Sequence, residues 1–405
     1  MSLELRNEYN RATAYLDKGQ WKKALPIFKK CLGVYKFKEA YVNLGNCYRL
    51  AGQEGLVMDC YKTALLDNIP SLDPDPIPVI CHALNNLGLT YYYFGDDVKA
   101  IHYYKKAIGL NDKFWEAWWN CSTATLRMAS SGDTDKFASG WEMYNARFLK
   151  APPVKLKNNK ENLIYWDGVS SGSSICVLAE QGIGDDIMWG RYLSMLPFDE
   201  VYVQCDVSVE PLFPRFKCVR DAVECDANIA YPMCSLAAHF NDGIPIAGDW
   251  LRGKFDTRSF PSDKLNVGIV WAGSASHAND SNRSVAIGRF NRFSNLVNLY
   301  SLTPGFTSTK HVTSLGIKDW TDTAECINGL DLVMGVDTSV MHLCGALGCE
   351  GWLLQPRRET DFRWGNGVGR SLWYSSIEIF NNNGSWEDTF DSVEIALREK
   401  LYEKC

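Results

Sequence analysis

The sequence predicts an array of α-helical hairpins followed by an α/β body made of two open parallel sheets. Three observations predict it. Small and aromatic residues recur at fixed steps as far as Ala107, a Pro152-Pro153 pair and a polar stretch then interrupt the chain, and from residue 171 the order becomes short apolar strand, glycine-bearing turn, helix, strand. A chain of 405 residues also exceeds what one core supports, since single cores stop growing near roughly 250 to 300 residues.

The hairpins come first. Ala12, Tyr15, Ala24, Phe28 and Cys31 align with Gly45, Tyr48, Val57, Tyr61 and Ala64 at an offset of 33. Gly45, Tyr48, Tyr61 and Ala64 align with Gly88, Tyr91, Tyr104 and Ala107 at an offset of 43. The longer step is a repeat of about 34 residues carrying an insertion, visible as NIPSLDPDPIPV at 68–79. A decayed fourth copy begins at FWEAWWNCSTATL, with Ala117 lying 34 after Ala83. A small residue at Gly45 or Gly88 lets the two helices of a hairpin approach, and Tyr61 and Tyr104 are expected to fill the gap between consecutive hairpins. One hairpin cannot bury its apolar face alone, so the units must stack. The segments YVNLGNCYRLAG and ALNNLGLTYYYFG place Leu-Gly and Tyr as tetratricopeptide repeats do, and the region 1–150 resembles an array of about three such repeats plus the decayed fourth. Trp141, Tyr144 and Phe148 read as one stripe of the last helix, followed by a linker at 151–162.

The body reads as βαβ units. SSICVLAE (173–180), the turn QGIGDD, a helix over IMWGRYLSML and the strand EVYVQCD (200–206) form the first. LNVGIVWAGSA (265–275) and GLDLVMGVDTSVMHLCGALG (329–348) repeat the logic, and EGWLLQP (350–356) adds a buried strand. Two Rossmann-like domains over 163–262 and 263–405, the latter ending in a helix, are therefore expected, with ligands outside the carboxyl ends of their strands. Gly182-Ile183-Gly184 begins a dinucleotide fingerprint, but Ile187 stands in the third glycine's place, which argues against NAD.

Composition bounds the rest. The chain is 46% hydrophobic and 22% charged, which excludes disordered and fibrous classes. No apolar run approaches the roughly 18 residues of a membrane helix, and MSLELRNEYN lacks the pattern of a signal peptide, so a cytoplasmic protein without a membrane span is expected. Fourteen cysteines show no C-x₂-C spacing and read as reduced, buried side chains. The net charge of −6 is uneven, with nine basic and three acidic residues in the first 38. That basic start is the one feature pointing to a polyanion such as DNA.

YWDG (165–168), AEQGIGDDIMWGRYL (179–193), VGIVWAGSASHANDSNRS (267–284), DTAECINGLDLVMGVDTSVMHLCGALG (322–348) and the tail from FRWG to SLWYSSIEIF (362–380) resemble, in the same order, the family-nine-like glycosyltransferases related to heptosyltransferases. The resemblance implies a GT-B fold and an inverting, metal-independent transfer of sugar from a nucleotide sugar to an acceptor hydroxyl. No cofactor or metal is expected beyond that donor. Asp185, at the strand-to-helix turn, aligns with the family's base; the structural alternative is a helix cap, which Asp186 could also supply. Arg283 aligns with a basic position that contacts phosphate, and a guanidinium suits that role. Gly273 and Ser274 follow a strand and would offer backbone N–H groups to the diphosphate. Thr338 and Ser339 open a helix whose positive end favours phosphate. Asp337 is expected to shape the loop or hold a sugar hydroxyl, and His342 to contact diphosphate or sugar. Asp322 and Thr323 read as caps. Residues 1–150 would select a protein or glycan acceptor and take no part in donor chemistry. Two alternatives remain: a viral-type transferase acting on hydroxymethylated DNA, and a scaffold whose transferase half is degenerate.

Overall fold

A computed structural model describes residues 1–149, 164–220, 224–246, 248–277, 279–356, 358–365, 369–381 and 384–403. The Pro152-Pro153 stop, the linker 151–162 and Cys405 lie outside these residues. The architecture is the predicted order: helical repeats, then an α/β body of two mainly parallel, Rossmann-like sheets.

The repeats are the hairpins α1 (Leu3–Asp17) with α2 (Trp21–Val34), α3 (Lys38–Leu50) with α4 (Glu54–Ala64), α5 (Ile77–Tyr93) with α6 (Asp97–Leu110), and α7 (Trp115–Ser130) with α8 (Lys136–Tyr144). Their glycines do what the sequence requires. A Cβ on Gly45 would fall 2.5 Å from Tyr61 Cε1, and one on Gly88 would fall 2.6 Å from Tyr104 Cε1. Each buried tyrosine lies against the glycine of its own hairpin and shares a core with the next one, Tyr61 with Ala83 and Leu87, Tyr104 with Cys121 and Ala124. The Trp141–Tyr144–Phe148 stripe fails as one helix. Arg147 Nη1 donates to the Tyr144 carbonyl at 3.1 Å, satisfying the end of α8, and a 3₁₀ turn over Asn145–Leu149 carries Phe148 off the stripe.

The described chain forms two compact units. One is Met1–Thr125 with a short return beginning at Met143; the other is Leu126–Glu142 with the chain from Ile164 onward. The end of α7 and most of α8, which the sequence assigns to the repeats, thus belong to the body. Trp141 is 2% exposed and donates from Nε1 to the Gly243 carbonyl at 3.0 Å. Its ring meets Trp189 edge-on at 5.3 Å, and Trp373 Nε1 donates to Ser130 Oγ at 3.1 Å.

The body's first sheet holds β1 (Ile164–Tyr165), β2 (Gly172–Leu178), β3 (Phe198–Gln204), β4 (Lys217–Val219) and β5 (Ile229–Pro232) in the order β1-β5-β2-β3-β4, all parallel. The second holds β6 (Asn266–Val270), β7 (Asn298–Ser301), β8 (Thr313–Ser314), β9 (Leu332–Val336), β10 (Gly351–Gln355), β11 (Gly369–Arg370) and β12 (Ile377–Asn381) in the order β11-β12-β10-β9-β6-β7-β8. Only β11 runs antiparallel among these described strands. β6, β9 and β10 are buried along their whole length, as strands covered on both faces must be. The body's helices are α9 (Ile183–Trp189), α10 (Asp280–Arg283), α11 (Trp320–Gly329), α12 (Ser339–Leu347) and α13 (Trp386–Glu403).

Each sheet reverses its winding about a central strand. β2 is flanked by β3 and β5, and β6 by β7 and β9, so the loops after β2, β6 and β9 leave from switch points where ligands of open α/β sheets bind.

Candidate active site at the switch points

The loop after β2 is shorter than the sequence implies. Gly182 is the N-cap of α9, so the helix begins inside QGIGDD, and Asp185 stands at its third position instead of in the turn. Neither Asp185 nor Asp186 is the N-cap. Asp185 Oδ2 accepts the Gly182 N–H at 3.0 Å, and its Oδ1 is paired with the Arg363 guanidinium. Asp186 is 5% exposed. Burial, with Asp185, Glu180 and Asp206 nearby, pushes its carboxyl up to about 8.

The loop after β9 ends at Thr338, the N-cap of α12. Thr338 makes no capping bond with its side chain, and its Oγ1 is buried without a hydrogen-bond partner among the described residues. Ser339 follows as the first helical residue. His342, one turn on, is 4% exposed and stacks on Trp364 at 4.6 Å. Its Nδ1 lies 3.1 Å from the Tyr374 hydroxyl. Burial first, and then the Arg363 charge, push His342 down to about 3, so its ring is neutral at neutral pH. In the tautomer whose Nδ1 accepts from the Tyr374 hydroxyl, Nε2 carries the proton.

Gly184 brings the two helices together. A Cβ there would lie 2.9 Å from His342 Cδ2 and 3.5 Å from the Ser339 Cα, so only glycine allows α9 this close to the start of α12.

Asp337 is committed to the protein. Its Oδ1 accepts the Trp364 Nε1–H at 2.8 Å and so ties the loop after β9 to the 362–365 segment. Burial and the neighbouring Asp361 push it up to about 6.

After β6 the backbone departs from expectation at Gly273. The Gly273 N–H donates to Ser284 Oγ at 3.2 Å and is not open to a diphosphate. Ser274 is exposed and its hydroxyl sits 2.7 Å from Ser276 Oγ, within its own loop. Arg283, the last residue of α10, packs against Gly273 with its side chain 12% exposed and its Nε 3.4 Å from Asp280. Its loop is tied to the 358–361 segment: Asn279 and Asn282 donate to the Glu359 and Arg358 carbonyls at 3.0 and 2.7 Å. The Arg283 charge reaches both Asp337 and His342. The N-cap of α11 is Asp319, which keeps an extended backbone and accepts the Asp322 N–H at 2.9 Å; Asp322 adds to that end by accepting the Lys318 N–H at 2.9 Å, and Thr323 is not the N-cap.

Asp185, Ser339 and His342 are thus brought together around Gly184, with Thr338 beside Ser339 and the Arg283 charge acting on His342, while the Gly273 N–H and the Ser274 hydroxyl bond within their own loop and Asp337 holds Trp364. The residue that sequence reasoning missed is Arg363. Its Nη1 chelates Asp361 at 2.9 and 3.0 Å, its Nη2 reaches Gln181 at 3.4 Å and pairs with Asp185, and its side chain is 9% exposed. Burial pushes Asp361 up, but Arg363 outweighs it and holds the carboxyl below its usual value. The signal was an arginine between two aromatics in DFRWG: a buried guanidinium must find anionic partners. Among the described residues no group of three His, Cys, Asp or Glu is arranged to hold a metal, and no helix is long and apolar enough to cross a membrane.

A tetratricopeptide-repeat family model matches residues 82–114. No curated protein matches the chain. Among solved structures, an O-GlcNAc transferase variant of Thermobaculum terrenum is similar at 12% identity, covering 98% of this chain and 92% of its own, with a TM-score of 0.35. MamA is similar at 22% identity over 35% of this chain and 75% of its own, with a TM-score of 0.29. YrrB, described as a TPR protein with an unusual peptide-binding site, is similar at 19% identity over 38% of this chain and 78% of its own, with a TM-score of 0.28.

Proposed function

We propose that the protein is an inverting, metal-independent glycosyltransferase that moves a sugar from a nucleotide sugar to an acceptor hydroxyl, with the repeats selecting a protein or glycan acceptor. The observation that carries the reading is the meeting of Asp185 with Arg363 and the start of α12 across the two switch points. The resemblance of the segments around them to family-nine-like transferases points the same way.

In this mechanism the donor diphosphate lies at the N-terminus of α12, where backbone N–H groups and the helix dipole favour an anion. The buried Thr338 hydroxyl, Ser339, Arg283 and Arg363 supply further donors, and the neutral His342 offers its Nε2–H. The acceptor hydroxyl gives its proton to the Asp185 carboxylate as its oxygen bonds to the anomeric carbon. The bond from that carbon to the diphosphate breaks with inversion, and the negative charge developing on the leaving oxygen is met by the same donors. Arg363 now occupies the Asp185 oxygen that would take the proton, so this base works once the guanidinium has moved to the diphosphate.

The DNA reading rests on the basic first repeat alone. Of its charges, Lys22, Lys23 and Lys29 lie over the rings of Trp21, Tyr15 and Tyr48 at 5.5, 5.5 and 5.4 Å, and Lys30 pairs with Glu8 at 2.8 Å. No further observation favours that reading over a protein or glycan acceptor.

A panel of nucleotide sugars incubated without acceptor, in the presence of EDTA, tests the proposal. Slow hydrolysis of one donor, unchanged by the chelator and lost in Asp185→Asn, is expected. No hydrolysis or binding of any donor, or activity that requires added manganese or magnesium, would overturn it.

A further inference from the structure

The repeat unit holds a cavity of about 400 Å³ that donor chemistry leaves unused. Tyr9, Asn43 and Asn46 line one side, and Asp73, Asp75 and His82 the other. Its far wall is the insertion that lengthens the second repeat step, and that insertion is pinned. The ammonium of Lys38, a residue 5% exposed, donates to the Ala64 and Leu66 carbonyls at 2.8 and 2.7 Å, closing the end of α4. The Lys38 N–H donates to the Pro70 carbonyl at 2.9 Å, and the Glu39 carboxylate accepts the Leu72 N–H at 2.9 Å and the Ser71 hydroxyl. Consecutive residues of α3 thus hold the insertion up as a wall.

The lining includes the carboxylates of Glu39, Asp73 and Asp75, with no lysine or arginine. Glu39 is consumed by the wall. Asp73 and Asp75 each accept one backbone N–H, from Asp75 and Ile77 at 2.9 and 3.0 Å, through one oxygen only. Their other oxygens have no partner among the described residues. The lining also includes the aliphatic side chains of Val42, Pro78 and Val79. We infer that this cavity receives one basic side chain from an extended segment of a partner protein. The methylene stem of a lysine or arginine lies on the aliphatic floor while its charged end meets Asp73 and Asp75. The same charge turns away acidic segments. The volume falls in the range of binding pockets and leaves room for backbone on either side of that residue.

The test uses the full chain and two capped pentapeptides, Gly-Ala-Arg-Ala-Gly and its counterpart with neutral citrulline for arginine. Calorimetry at about 50 mM salt should find the arginine peptide bound at least about tenfold more tightly, with the difference shrinking at about 500 mM as charge is screened. Asp73→Asn with Asp75→Asn should abolish the difference without changing the melting temperature, because the asparagine amide oxygen accepts the same backbone N–H. If the double variant does not fold, Asp75→Asn alone serves, and should roughly halve the logarithm of the preference. Equal affinity for both peptides, no binding of either, or a preference that survives loss of the carboxylates would overturn the inference. Self-association in sedimentation that those substitutions abolish would also overturn it, by giving the cavity to a second copy. The measurement is independent of sugar transfer, so an inactive enzyme leaves it standing.

Discussion

Asp185 and Asp186 are neighbours with opposite surroundings: one faces a guanidinium at the site, the other is folded into the body. In the proposed mechanism Asp185 moves the proton, while the buried Asp186 serves structure. Because Asp186 rises from 3.8 unfolded to about 8 folded, its contribution to stability is fully present below pH 4 and is lost as pH climbs through 8. The loss has a slope of up to about 1.4 kcal/mol per pH unit. Asp186→Asn should flatten that slope in denaturant titrations between about pH 5 and pH 8, and should be more stable than the parent by at least about 1 kcal/mol at the upper end. A parent with no excess loss over this range would show that Asp186 ionises freely. Kinetics separate the other two charges. Asp185→Asn should lower kcat by roughly 10² with donor KM little changed, whereas Arg363→Gln should raise donor KM by roughly tenfold or more. Near-normal turnover in Asp185→Asn would reduce that residue to its bond with the Gly182 N–H. Asp185 was legible in the sequence because a motif carries it. Arg363 was not given a role, since its meaning comes from Asp185, 178 positions away, and no local pattern encodes that distance.

At the level of elements, spacing told most. The 33- and 43-residue steps place every hairpin through α6, because the stacking that requires them recurs in the sequence. Boundaries set by tertiary contact were not readable: α9 starts inside a run of glycine and aspartate that looks like a turn, and α8 stops where Arg147 reaches back to Tyr144. The close helix approach at Gly88 gives a paired test with Gly109, around which an added Cβ meets nothing within 4 Å. Gly88→Ala must displace the buried Tyr104 ring, at a cost of about 1 to 3 kcal/mol. Gly109→Ala in α6 meets no such ring and should stabilise by up to about 1 kcal/mol through helix propensity alone. Thermal unfolding of the two variants should therefore move in opposite directions. If both rise, the ring at Tyr104 has slack that the Gly88 geometry denies.

The whole molecule divides where the sequence does not. Reading residues 1–150 as repeats follows the period of the helices, but period describes how a helix repeats and says nothing about which core its aromatics enter. Trp141, in the middle of α8, is buried with Trp189, Trp373 and Phe362 of the body, and Phe137 meets Trp373 edge-on at 5.6 Å. Trp373 in turn receives Arg191, whose Nη1 donates to its carbonyl at 2.7 Å, and Tyr374 beside it holds His342. The aromatic cluster beneath the candidate site is thus completed by residues 126–142. A fragment of 155–405 would lack that cover and leave a large apolar face open to solvent, which drives aggregation. A fragment of 126–405 keeps it. The shorter fragment should be recovered as aggregate, and the longer one as a monomer with the near-ultraviolet dichroism of packed tryptophans. In the full chain, Trp141→Ala should cost the body about 3 to 5 kcal/mol and weaken donor binding while leaving the repeats folded, because the loss reaches His342 through Trp373 and Tyr374. A monomeric 155–405 with the same tryptophan dichroism as 126–405 would refute this dependence, and would put the boundary of the body back at the linker.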